Sequence, residues 1–130
     1  MSTAMRLLVV DDFMTMRRVL CHLLHEIGFD DVDEAADGAA ALERLGVEIA
    51  DVVITDIEMP AMNGFDLLAS IKKDPRLKHV PVLMVAAEAR KDEIVRAVQA
   101  GAAGYLVKPF SRAVLEERLR QIVPGFFAEA

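Results

Sequence analysis

Apolar runs that break off at a charged residue set the strongest limit on how this chain can fold. Met5–Val10 is apolar apart from Arg6 and ends at Asp11-Asp12, Val52–Thr55 ends at Asp56, Val80–Ala87 is a third run, and the short Tyr105–Val107 ends at Lys108-Pro109. A strand with one wet face alternates polar and apolar residues. Strands apolar at successive positions are therefore buried on both faces, as in a parallel sheet covered by helices. Helical spacing fills the intervals. Phe13, Met16, Leu20, Leu23 and Ile27 recur three and four apart, with Arg17, Arg18, Cys21, His22, His25 and Glu26 largely off that face, and Gly28 suits the residue after a helix end.

A weaker strand near Val32–Ala36 and an Ala-rich helix over Gly38–Leu45 follow. Ile57–Gly64, with Pro60, Asn63 and Gly64, reads as a loop before a helix over Phe65–Lys73. Arg90–Ala100 is helical, with Ile94, Val95 and Val98 on one side, and Ser111 caps a last helix lined by Leu115, Leu119 and Ile122. The pattern predicts a doubly wound α/β fold of five strands and five helices, in one domain over residues 1–130.

Composition narrows the function. The formal net charge is −6 and no basic block occurs, which argues against nucleic-acid binding. No apolar run approaches the ~18 residues of a membrane span, and Met1–Arg6 lacks a leader's apolar stretch. The single cysteine, Cys21, excludes an internal disulfide and fits a reducing compartment, so a cytoplasmic protein is expected.

Asp11, Asp12, Asp56 and Lys108 each lie just past the end of an apolar run. In an open parallel sheet all strand C-termini share one edge, where ligands bind, so these residues are expected to converge. Three carboxylates together repel unless a cation lies among them, and Mg²⁺ prefers such oxygen ligands. Asp12 and Asp56 are candidate direct ligands, with Asp11 holding a coordinated water. Asp56 is the candidate carboxylate nucleophile toward a phosphorylated donor, and Lys108 the candidate neutraliser of charge on the transferring group. Pro109 makes a cis Lys108–Pro109 bond an expectation.

Val9-Val10-Asp11-Asp12-Phe13, Thr15-Met16-Arg17-Arg18, Asp56 with Met59-Pro60, Leu83-Met84-Val85, Ala87-Glu88-Ala89 and Ala100-Gly101 through Lys108-Pro109-Phe110 resemble, in order and spacing, the receiver domain of two-component response regulators, above all its single-domain chemotaxis type. The likeness covers roughly Met5 to Val123. It implies a flavodoxin-like sheet in the order 2-1-3-4-5 and phosphoryl uptake on Asp56 from a histidine kinase. It also implies Mg²⁺ on Asp12, Asp56 and the Glu58 backbone carbonyl, with Lys108 on the phosphoryl group. In motile members the surface of the fourth helix, fifth strand and fifth helix binds the flagellar motor switch. Here Arg90, Lys91, Ile94, Val98, Tyr105, Val107 and Arg118 are its candidates, read as a basic rim around an apolar patch. A monomer is expected, with a phosphatase as a further partner and no catalysis beyond the domain's own phosphorylation and dephosphorylation.

One position departs from the family. Where it places Thr or Ser at the end of the fourth strand, this chain has Ala86, which offers no hydroxyl to a phosphoryl oxygen. Phosphorylation is expected to survive and its coupling to the output surface to weaken, with an inward-turned Tyr105 as partial compensation. That favours, as the alternative function, a phosphate sink or relay. Glu58 reads either as a charge near the metal or as a solvated loop residue. It also stands where aspartyl-phosphate hydrolases carry a general acid, but no cap domain or substrate insert accompanies it.

Overall fold

The computed structural model describes residues 3–123. Strands β1 (Thr3–Val10), β2 (Phe29–Ala35), β3 (Val52–Asp56), β4 (Val82–Ala86) and β5 (Gly104–Val107) alternate with helices α1 (Met14–Ile27), α2 (Gly38–Val47), α3 (Gly64–Lys73), α4 (Lys91–Gln99) and α5 (Arg112–Ile122). All strand pairings are parallel, in the order β2-β1-β3-β4-β5. The architecture and strand order are those expected.

Alternation within the apolar strands builds a core on each face. Leu8, Val10, Val53 and Met84 pack with Leu45 of α2, Phe65, Leu68 and Ile71 of α3, and Ala97 of α4. Leu7, Val9, Ile54 and Val85 face the other way, onto Leu20 and Leu24 of α1 and Leu115 and Leu119 of α5. Every residue of β3 and β4 is buried, which explains the apolar runs Val52–Ile54 and Val82–Ala86. Among the described residues no helix is long and apolar enough to cross a membrane.

Two local expectations change. The buried residues of α1 are Leu20, Cys21 and Leu24, so the inner face is rotated from the one predicted: Cys21 is in the core and Phe13 is 62% exposed. Strand β2 starts earlier, at Phe29, and its sequence reads as weak because it is an edge strand carrying acids for an ion-pair network. Arg6 of β1 reaches Asp31 and Asp33 at 3.0 Å each and Glu48 at 3.5 Å, and Arg44 reaches Asp33 at 3.2 Å. This network lies toward the start of β1, away from the edge where Asp11 and Asp56 emerge.

In the β3–α3 loop Ala61 has φ 65°. A residue with a Cβ is disfavoured there by about 1 kcal/mol relative to glycine. Ala61→Gly is expected to stabilise the fold by roughly 0.5–1 kcal/mol, read as a higher urea midpoint at unchanged slope. An unchanged or lower midpoint would count against a left-handed backbone at 61.

Candidate functional site

The parallel register carries β1 and β3 to the same edge, with Val10 opposite Thr55, so Asp11 and Asp56 leave adjacent strands side by side. Asp11 is 4% and Asp56 9% exposed, while Asp12 lies open to solvent. One ligand oxygen from each of Asp11, Asp12 and Asp56 falls within 4.8 Å of the others. Lys108 follows β5, and its backbone N–H donates to the Ala86 carbonyl at 2.8 Å. This anchor aims its Nζ at Asp56 Oδ1, 3.3 Å away, and at Asp11 Oδ2, 3.8 Å away. The Lys108–Pro109 bond is cis.

Burial pushes the Asp56 carboxyl above its ordinary value, against the pull of Lys108, and Asp11 adds a like charge. Asp11 is raised by the same desolvation, countered by the hydrogen bond its Oδ1 accepts from the Phe13 N–H at 2.9 Å and by Lys108. One ammonium thus faces three carboxylates, two of them desolvated. Clustered hard oxygen donors with one open side, where water can enter, suit Mg²⁺, which keeps several waters beside one or two carboxylates. The residues present therefore fit that ion.

Sequence spacing puts Arg17 off the inner face of α1, yet its side chain is only 13% exposed. Its Nη1 donates to the Asp11 carbonyl at 2.7 Å and its Nε to Glu34 Oε1 at 2.8 Å. Beside it the Cys21 thiol is pushed up to about 11, by burial first and then by Glu34, which keeps it protonated and unreactive.

A family model of the response regulator receiver domain matches residues 7–120. The chain belongs to the response regulator receiver family. It is 51% identical over 118 residues to the chemotaxis protein CheY of Pseudomonas aeruginosa, covering 91% of this chain and 95% of that one. It is likewise 51% identical to CheY-3 of Vibrio cholerae, covering 91% of each chain. Among solved structures, the chemotaxis protein CheY4 of Vibrio cholerae superposes with a TM-score of 0.87 at 32% identity, over 93% of this chain and 100% of that one. The receiver domain of a histidine kinase from Syntrophus aciditrophicus gives 0.84 at 29% identity, over 94% and 92%. The protein is a receiver of CheY type, a signalling domain.

In this receiver Ala86 is 2% exposed at the end of β4, beside the lysine anchor. Tyr105 of β5 is partly buried against the same core. Its hydroxyl donates to Glu93 Oε1 at 2.6 Å and lies 3.2 Å from the Glu88 carbonyl oxygen. Nothing in the sequence singles out Glu93: it sits one residue before the apolar Ile94, and its partner comes from the next strand. Desolvation and that carboxylate push the Tyr105 phenol up to about 12. It is the only tyrosine and there is no tryptophan, so the phenolate absorbance band reports on it alone. At pH about 10.5 an ordinary tyrosine is largely ionised. Native receiver is expected to show little phenolate there, and Glu93→Gln distinctly more. Equal phenolate in both would remove Glu93 as the cause.

Ile94, Tyr105, Val107 and Arg118 line one groove with Phe110 and Val114. Arg90 instead lines the neighbouring cleft with Glu58, Glu93 and Arg96, the last standing 4.0 Å over the Phe65 ring. Lys91 is exposed at the start of α4, and Val98, 70% exposed, is further along the helix.

Proposed function

We propose that this receiver takes a phosphoryl group onto Asp56 from a histidine kinase in a Mg²⁺-dependent reaction, in the cytoplasm, and signals by phosphorylation-modulated binding to the flagellar motor switch. The observation that carries this is the buried Asp56 carboxylate with Lys108 Nζ 3.3 Å away, inside a cluster able to hold a cation. A carboxylate oxygen of Asp56 bonds to phosphorus as the donor's phosphorus–nitrogen bond breaks, its electron pair leaving on the imidazole nitrogen. Lys108 places its ammonium beside the arriving charge. Asp11, Asp12, Asp56 and the Glu58 carbonyl would hold Mg²⁺, which supplies positive charge to the phosphoryl oxygens. The chemotaxis relatives support the motor-switch partner, and a phosphatase would complete the cycle.

Intact mass followed over time with a small phosphodonor and Mg²⁺ tests the chemistry. A transient gain of one phosphoryl group is expected, absent in Asp56→Asn and in EDTA. A gain in Asp56→Asn would move the acceptor elsewhere.

Ala86 favours a second function, a sink or relay with weak output. A hydrogen bond to a charged oxygen is worth about 1.5–3 kcal/mol, and Ala86 cannot donate one. Ala86→Thr is expected to enlarge the gain in motor-switch affinity on phosphorylation by roughly tenfold or more, with uptake by Asp56 unchanged. Equal gains in the two proteins would defeat weakened coupling.

A further inference from the structure

Asp11 and Asp12 share a peptide plane, and the backbone on either side of the Asp11 Cα is tied to the neighbouring strand. The Asp11 N–H donates to the Ala35 carbonyl of β2 at 3.2 Å. The Asp11 carbonyl accepts from Arg17 Nη1 at 2.7 Å, and Arg17 Nε is held in turn by Glu34, the residue before Ala35, at 2.8 Å. Because the peptide is planar, fixing that carbonyl oxygen also fixes the direction in which the Asp12 Cα leaves it. Asp12 is the exposed member of the cluster, whereas Asp11 is already held by its side-chain bond to Phe13.

We propose that Arg17 is a positioning residue: by clamping the Asp11–Asp12 peptide to Glu34, it holds the Asp12 carboxylate in register with Asp11 and Asp56 and so sets the affinity for a divalent cation. This rests on the cation site of the proposed function. The clamp needs a planar fork reaching an acid and a carbonyl at once, which guanidinium provides and a lysine ammonium does not. Its charge acts the other way, since a cation beside the cluster repels a second one. Geometry and charge therefore make opposite predictions, and an experiment can separate them.

Mg²⁺ binding is measured by calorimetry on the full chain, with thermal unfolding of the metal-free protein recorded in parallel. Arg17→Lys keeps the charge and loses the fork. It is expected to weaken Mg²⁺ about tenfold, as outer residues that orient metal ligands commonly do. Arg17→Gln removes the charge and is still expected to bind more weakly than wild type. Arg18→Gln removes the same charge from the neighbour, whose side chain is 68% exposed and also reaches Glu34 Oε1, at 3.4 Å, but is not the donor to the Asp11 carbonyl, and is expected to bind no more weakly than wild type. A merely structural arginine would lower the unfolding midpoint and leave the dissociation constant alone. Wild-type affinity in Arg17→Lys, or tighter binding in Arg17→Gln, overturns the proposal. Should Arg17 variants fail to fold, Glu34→Lys, which reverses the anchor, must weaken Mg²⁺ beyond the loss seen in Asp31→Lys, a charge reversal remote from the cluster. Absence of saturable binding in wild type overturns the cation site itself, a result distinct from a failure of Arg17 alone.

Discussion

Asp56→Asn will make the metal-free receiver more stable at neutral pH although it removes the proposed phosphoryl acceptor. Burial raises the Asp56 carboxyl above its ordinary value of 3.8, and Asp11 adds like-charge repulsion. A carboxyl raised by folding contributes stability that is fully present below the unfolded value and lost as pH rises through the folded one. Above the folded value that contribution is gone, and an ionised, desolvated group remains, only partly offset by Lys108 at 3.3 Å. Asparagine keeps the shape and drops the charge. A gain of about 1–2 kcal/mol is expected, on the scale of an imperfectly paired buried polar group. That is several degrees in thermal midpoint for a domain of this size. The gap between the two proteins should close as pH falls toward the ordinary carboxylate range. It should also shrink when Mg²⁺ is added, because an ion held by the proposed site would stabilise the native wild type. Equal midpoints at pH 7 without metal would refute the electrostatic cost.

Gly64→Ala will disrupt the β3–α3 loop. A Cβ on Gly64 would stand 2.5 Å from the Asp56 backbone oxygen and 2.8 Å from the Ile57 Cα, and both neighbours are main chain. The approach is this close because the Gly64 N–H donates to the Ile57 carbonyl at 2.7 Å while Asn63 and Asp66 cap α3 reciprocally. No flexible side chain can yield, so the end of β3 must move. A loss of about 2–3 kcal/mol is expected, as for overpacking, together with slower phosphoryl uptake because Asp56 is the residue displaced. Gly46→Ala is the control: it sits in α2, where an added Cβ would meet nothing within 4 Å. There alanine should gain up to about 1 kcal/mol from helix propensity. Equal effects at the two glycines would show that close approach does not decide the outcome.

The sheet and the acidic edge are legible in the sequence because one physical rule produces both. A strand buried on two faces has no room for a charge until it ends, so the first polar residue after each run marks the site, as at Asp11, Asp56 and Lys108. Edge strand β2 hides its start at Phe29 because its acids answer Arg6 rather than the core. The α1 face is misjudged when Cys21 is grouped with its polar neighbours, since a thiol packs as a small apolar group. Arg17 and Glu93 escape for a different reason. Their partners, the Asp11 carbonyl with Glu34 and Tyr105, lie on other elements, and no local spacing announces a bond across the fold.

The ion-pair network around Arg6 and the carboxylate cluster at the opposite end of β1 also give the sheet two unlike responses to ionic strength. Added monovalent salt screens the attraction of Arg6 and Arg44 for Asp31, Asp33 and Glu48, which are partly solvated. The same salt screens the mutual repulsion of Asp11, Asp12 and Asp56. One end of the sheet loosens as the other relaxes, so the overall midpoint conceals two movements that amide exchange, read strand end by strand end, would resolve.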